Sequence, residues 1–199
     1  MSSRTMQEQK SREILMKYLE KPDVVDYLAF AGRFDEFSGR TLDSWVKCAK
    51  NYLSQEDYEK FYARVFPLDA DTPENEELKD RLVSVARRIS MGRAGIYDVI
   101  EELDMSMERY IYLLRQLTYR HKVLNASCYR SNGDYYNNLA SYTKPANLTS
   151  SFPTLGKDMH NKLVEFVEEH NLPLNNYTYT EAYKAFKMRG IITFNKVNK

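Results

Sequence analysis

Hydrophobic residues recur every three or four positions along most of this chain, which is the spacing of one face of an α-helix. In the first third, this spacing predicts four short helices, near residues 14–19, 24–31, 41–49 and 55–66. Ser54 and Asp57 resemble a capping box in front of the fourth helix, and Pro67 ends that helix because proline lacks a backbone N–H donor. The chain is therefore predicted to be mainly α-helical.

The middle of the chain has the sharpest pattern, with helices predicted over residues 78–89, 96–103 and 107–121. Between the last two, Asp104 is expected to take the left-handed backbone conformation of a tight turn, since aspartate tolerates it. Ser106 is expected to cap the helix that follows. Asn132-Gly133 then stands between aromatic-rich runs, a pattern that favours a β-hairpin over residues 122–142.

Helix, helix, tight turn, helix and hairpin, in this order, resembles the winged helix-turn-helix family. Residues 96–106 and 114–123 carry the likeness, which covers residues 76–142. The family usually has glycine where Asp104 stands and Gly-Leu where His121-Lys122 stands. The resemblance implies a recognition helix, residues 107–121, in the major groove of double-stranded DNA, and a small β-hairpin wing on the DNA backbone.

Two Pro-containing joints, residues 67–77 and 141–153, divide the chain into three predicted domains. Residues 1–70 form an acidic helical domain for protein contacts, residues 71–145 the winged helix-turn-helix, and residues 146–199 a linker with basic C-terminal helices. Those helices are predicted over 158–170 and 180–189, with Thr180 as a cap and Gly190 as a stop. They form either a second winged helix or a helical hairpin used for dimerisation.

Charge is unevenly distributed along the chain, although its formal net charge is only +1. Residues 107–199 contain 13 basic and 7 acidic residues, a net charge of +6, and 10 of the 16 tyrosines. Residues 1–106 contain 16 basic and 21 acidic residues, a net charge of −5. This asymmetry favours contact of the second half with a polyanion.

The helix predicted over 107–121 separates into two faces. Tyr110, Leu114, Leu117 and His121 are expected on the core side, while arginine, glutamine and tyrosine dominate the other side. The candidate DNA-binding residues are Arg109, Tyr112, Arg115, Gln116, Tyr119, Arg120, Lys122, Arg130 and Asn132. Within this set, Arg109, Arg115 and Gln116 are expected to read bases. Tyr112 and Tyr119 are expected to reach phosphate or sugar, and Lys122, Arg130 and Asn132 to bind phosphates.

No pattern indicates catalysis, a metal or a cofactor. The three histidines lack metal-ligand spacing, no glycine-rich loop precedes a Lys-Ser or Lys-Thr pair, and the two cysteines are too few for a disulfide framework or a zinc site. No apolar run is long enough to cross a membrane, and no leader is apparent, so a cytoplasmic protein is expected.

The sequence thus predicts a non-enzymatic DNA-binding protein of phage, plasmid or bacterial type, either a transcriptional regulator or a replication accessory factor. A protein partner or a second copy would bind through the N- or C-terminal helices. The alternative is a non-catalytic protein-interaction module, such as a viral or phage factor that binds a host protein, because tyrosine and arginine also dominate protein interfaces.

Overall fold

A computed structural model of the protein describes residues 3–20, 42–141 and 155–193. These residues form α-helices and no β-strand, so the mainly α-helical prediction is confirmed. The helices are α1 (Ser3–Glu20), α2 (Leu42–Tyr52), α3 (Gln55–Val65), α4 (Pro73–Ser90), α5 (Ile96–Leu103), α6 (Met107–Arg115), α7 (Ala126–Ser141), α8 (Lys157–Glu169) and α9 (Asn176–Met188). A π-helical turn, Gln116–Arg120, continues α6.

The chain divides into two compact units, unit 1 (Met1–Lys79) and unit 2 (Asp80–Lys199). The predicted domain limits at residues 70 and 145 stay a prediction. The predicted helix near residues 24–31 and nearly all of the joint at 141–153 lie outside the described residues. Among the residues that the structure describes, no helix is long and apolar enough to cross a membrane.

Unit 1 is a cluster of α1, α2 and α3 around aromatic side chains. Trp45 and Phe61 are almost completely buried, and the Phe61 ring meets the Tyr18 ring edge-on, with 5.4 Å between centroids. The guanidinium of Arg64 donates to the backbone oxygen of Tyr18 over 2.6 Å. At the start of α3, the Ser54 hydroxyl accepts the Asp57 backbone N–H over 3.1 Å, which confirms the predicted cap.

Unit 2 packs α5, α6 and α7 in succession and adds the α8–α9 pair against α5. The turn between α5 and α6 has the predicted geometry. Asp104 lies in the left-handed region at φ 51° and ψ 48°, and the Ser106 side chain accepts the Arg109 backbone N–H over 3.2 Å. Both predictions are confirmed. Each concerns a feature that the local chemistry of one residue determines.

The predicted β-hairpin wing is wrong, because residues 126–141 form helix α7. An Asn-Gly hairpin turn needs positive φ at both residues, and neither Asn132 nor Gly133 has it. Asn132 is instead completely buried: its Oδ1 accepts the Tyr110 hydroxyl over 2.7 Å, and its Nδ2 donates to the Ala86 oxygen over 3.0 Å. Contacts to α4 and α6 therefore outweigh the local preference of Asn-Gly for a turn.

The C-terminal helices match the prediction in part. Helix α8 covers most of the predicted range 158–170, and Gly190 follows α9 with a positive φ of 72°. The predicted cap at Thr180 is wrong: Asn175 caps α9 by accepting the backbone N–H groups of Tyr177 and Thr178, each over 2.9 Å. Residues 191–193 are not a strand, and the rest of the predicted second wing lies outside the described residues.

Candidate nucleic-acid interface

Helix α6, the predicted recognition helix, is buried on almost every side. Residues 110–114 are each at most 4% exposed, and among the nine residues of α6 only Glu108 and Arg115 are exposed. Tyr112 and Gln116, predicted on the outward face, are 1% and 6% exposed, so that prediction is wrong for both. Residues 110–114 are all apolar or aromatic, and a helix that is apolar all round is buried all round.

The predicted core side of this helix is correct at three positions. Tyr110, Leu114 and Leu117 have no exposed surface, and His121 is half-buried. Since Tyr112 and Gln116 are buried as well, α6 has no continuous outward face that a DNA major groove could accommodate. Asn132 is the third candidate residue that is buried, and it lies within α7 rather than at a wing tip.

The chain reaches the surface again at the π-helical turn. His121 N–H donates to the Gln116 oxygen five residues earlier, over 2.9 Å, so this turn is wider than an α-helical one. Lys122 then adopts the left-handed conformation at φ 56°, and the Val123 N–H returns to the Leu117 oxygen over 2.9 Å. This widened turn ends the helix and leaves Tyr119 on the surface, 59% exposed.

Five residues in or near the Tyr119–Tyr129 contact along the chain are together called the basic corner: Arg115, Tyr119, Lys122, Tyr129 and Arg130. The rings of Tyr119 and Tyr129 meet edge-on, with centroids 5.6 Å apart and planes at 84°. Burial raises the pKa of Tyr129 and the positive charge of Arg115 partly opposes the rise, so Arg115 is close to that ring. The contact between the two tyrosines therefore joins the end of α6 to the first turn of α7.

The cations of the basic corner have no acidic partner among the described residues. Arg115, Lys122 and Arg130 are exposed, and none forms an ion pair with a described carboxylate. In unit 2, Arg88 binds Glu102 and Arg189 binds Glu101 over 2.7 Å. The exposed Arg81, Arg87 and Arg93 form no ion pair with a described carboxylate either. The basic corner thus has three exposed cations without an ion pair among the described residues, and the exposed Asp134 lies one turn after Arg130 in α7.

The two remaining candidates lie beside or away from this surface. Arg120 is exposed and directly follows Tyr119. Arg109 is half-buried in the first turn of α6, nearly two turns before Arg115, so it does not belong to the basic corner. The structure therefore leaves Arg115, Tyr119, Lys122 and Arg130 of the predicted set exposed, each within four residues of the Tyr119–Tyr129 contact, and adds Tyr129, which sequence reasoning missed.

No family model, no curated protein and no solved structure matches this chain. The proposal for its function therefore depends on the described residues alone. Tyr129 was missed because it was assigned to a hairpin strand, although its position beside Arg130 is a basic-aromatic pair visible in the sequence.

A second polar cluster lies between α5, α7 and α9, around the buried carboxylate of Glu181. The Tyr135 hydroxyl donates to Glu181 over 2.6 Å and accepts the Ile96 backbone N–H over 3.0 Å. Lys184 pairs with the same carboxylate over 2.8 Å. A Cβ on Gly95 would lie 3.0 Å from both the Glu181 and the Tyr135 oxygens, so any other residue there would require these side chains to shift by a few tenths of an ångström.

This cluster has a structural role, because its bonds connect three helices. Burial and the negative charge of Glu181 raise the pKa of Tyr177 to about 12 and raise that of Tyr135 well above its ordinary value, so both hydroxyls keep their protons near neutral pH. Among the described residues, no group of three or more histidine, cysteine, aspartate or glutamate side chains is arranged to hold a metal ion. The absence of catalysis stays a prediction.

Proposed function

We propose that this chain binds nucleic acid through the basic corner, with Arg115, Lys122 and Arg130 contacting phosphates. The observation that supports this most directly is that these three exposed cations have no acidic partner among the described residues, beside an exposed tyrosine. Unneutralised lysine and arginine supply the salt-dependent part of nucleic-acid affinity by displacing counterions from phosphates.

This mode of contact differs from the binding in the DNA major groove that the sequence predicts. Because α6 is interior and residues 126–141 are helical, neither a recognition helix nor a wing enters the proposal. Its contacts come from a helix end, a turn and the first turn of the next helix, a surface that meets the backbone of a polynucleotide. Regulation of transcription and assistance of replication both remain compatible with such a surface and stay hypotheses.

A salt titration with a fluorescent oligonucleotide tests the proposal. The logarithm of the affinity should fall linearly with the logarithm of the salt concentration, with a slope of roughly −0.7 to −0.9 per phosphate contact. Lys122→Ala and Arg130→Ala should each reduce the magnitude of that slope by about one unit.

Lys162→Ala is the matched control, because Lys162 is an exposed lysine of α8 outside the basic corner. It should leave both the affinity and the slope unchanged. If wild-type protein shows no binding at low salt, or if Lys162→Ala reduces the slope as much as Lys122→Ala, the proposal is wrong. In the first case the protein-interaction alternative becomes the better hypothesis.

A further inference from the structure

The aromatic pair in the basic corner narrows the class of ligand, provided that the proposed function holds. We infer that the ligand is single-stranded nucleic acid, with one unpaired base stacked on the ring of Tyr119. The inference depends on three features of the described residues: the exposure and support of this ring, the position of cations around it, and the shape of the surface.

Tyr119 has an open ring on a fixed support. It is 59% exposed, whereas Tyr129 beneath it is half-buried, and the two rings meet edge-on at 84°. In an edge-on pair the partner covers only one edge or one face of a ring, so Tyr119 retains an uncovered face. Every nucleobase has a π-face that stacks on such a ring, and it is available only when the base has left a duplex stack.

Cationic residues lie on both sides of Tyr119 in the sequence. Arg115 lies one helical turn before Tyr119, Lys122 lies three residues after it, and Arg130 is next to the supporting Tyr129. Three cations thus lie within four residues of the two rings along the chain, so the phosphates of a strand stacked on Tyr119 would lie in a region of positive charge. Lys122 also holds a left-handed backbone, which glycine adopts at lower cost. A lysine at a strained position next to a binding surface is consistent with a functional requirement for its charge.

The surface is a poor fit to a duplex. Helix α6 offers no exposed face to a groove, as its burial shows. The only charged residues of α7 are Arg130 and Asp134, which are both exposed and lie one turn apart. A duplex groove lined by phosphates on both sides favours a uniformly basic helix, which α7 is not.

Three ligands with matched numbers of phosphates test the inference: an oligothymidylate of about 12 nucleotides, an abasic strand of the same length, and a duplex with the same number of phosphates. Wild-type protein should bind oligothymidylate roughly 5- to 100-fold more tightly than the abasic strand, and more tightly than the duplex. Tyr119→Ala should remove this preference by weakening oligothymidylate binding alone. Tyr119→Phe should retain it, because the ring remains.

Lys122→Ala separates stacking from charge, since it should weaken binding of all three ligands by a similar factor. Equal affinity for oligothymidylate and the abasic strand, or tighter binding of the duplex, would overturn the single-strand inference while leaving nucleic-acid binding intact. No binding of any of the three at low salt would overturn the proposed function itself. An unchanged thermal midpoint confirms that Tyr119→Ala is folded, as its exposure leads us to expect.

Discussion

The interiors of the two compact units are built from different kinds of side chain. In unit 1, apolar and aromatic residues such as Trp45 and Phe61 fill the space between three helices. In unit 2, buried polar groups also connect helices far apart in the sequence: the Tyr97 hydroxyl donates to the Thr178 oxygen over 2.7 Å, and the Tyr110 hydroxyl donates to Asn132 over 2.7 Å.

This difference teaches how specific each interior is. An apolar interior tolerates apolar side chains of similar volume, because dispersion and the hydrophobic effect have no direction. A buried hydrogen bond requires both partners, and removal of one leaves the other desolvated without compensation. Replacing a buried polar side chain should therefore destabilise unit 2, whereas unit 1 has fewer such positions.

The largest expected effect is in unit 1. Phe61→Ala should lower the free energy of unfolding by about 3–5 kcal/mol, because it removes a completely buried ring and leaves a cavity. Urea unfolding monitored by the fluorescence of Trp45, the single tryptophan, measures this effect. Lys60→Ala on the same helix is exposed and should cost less than about 0.5 kcal/mol. Similar losses from both would mean that Phe61 is not a core residue.

A smaller loss is expected from a buried amide of unit 2. Asn132→Ala should lower the free energy of unfolding by about 1–3 kcal/mol, because the Tyr110 hydroxyl and the Ala86 carbonyl lose their partner. Thermal unfolding followed by far-UV circular dichroism measures it. Asn137→Ala, an exposed asparagine of the same helix, is the control and should have little effect. If the two variants melt alike, the polar interior contributes less than we infer.

The opposite sign is expected at a second buried amide. No donor among the described residues reaches the buried Oε1 of Gln116. Gln116→Met keeps the length of the side chain and removes this unsatisfied oxygen, so it should raise the free energy of unfolding by about 1 kcal/mol. The same unfolding measurement applies. Destabilisation would contradict the absence of a partner for this oxygen, because only the loss of a hydrogen bond would lower the stability.

The smallest effect concerns pH. Burial raises the pKa of Glu101, but hydrogen bonds from Arg189 and His170 outweigh it and hold that pKa below its ordinary value. A carboxyl with a lowered pKa in the folded state stabilises the protein above its unfolded-state pKa, and this contribution is lost as the pH falls through the folded-state value. The difference in stability between wild type and Glu101→Gln should therefore shrink as the pH decreases below about 4.5. A difference that stays constant over that range would show that the pair contributes nothing through its charge.

Two features of unit 2 that depend on neighbouring residues alone were predicted from the sequence. The left-handed turn at Asp104 and the cap at Ser106 follow from what single side chains do to the backbone next to them. Helix α7 was missed although its inward positions, residues 128, 132, 135, 136 and 139, have helical spacing. Asparagine and tyrosine at these positions are polar or amphipathic, so the spacing was not recognised as a buried face.

The candidate site was only partly predicted, because residue type alone does not decide which polar side chains are buried. Arg115, Lys122 and Arg130 are exposed as the sequence suggests, because a charged side chain without a partner stays in water. Tyr112 and Gln116 also have polar groups, yet both are buried. A tyrosine has an apolar body and a polar tip, so its residue type alone does not decide on which side of a helix it lies.

By itself, the sequence determined that the chain is mainly helical, that Ser54 and Ser106 cap helices, and that Asp104 turns the chain left-handed. Each of these depends on residues within a few positions of one another. The tertiary structure decided that α6 is interior, that residues 126–141 are a helix, and that the rings of Tyr119 and Tyr129 meet. The physical reason is that burial of a polar side chain requires a partner, and those partners are brought by other helices, as Tyr110 and Ala86 are brought to Asn132.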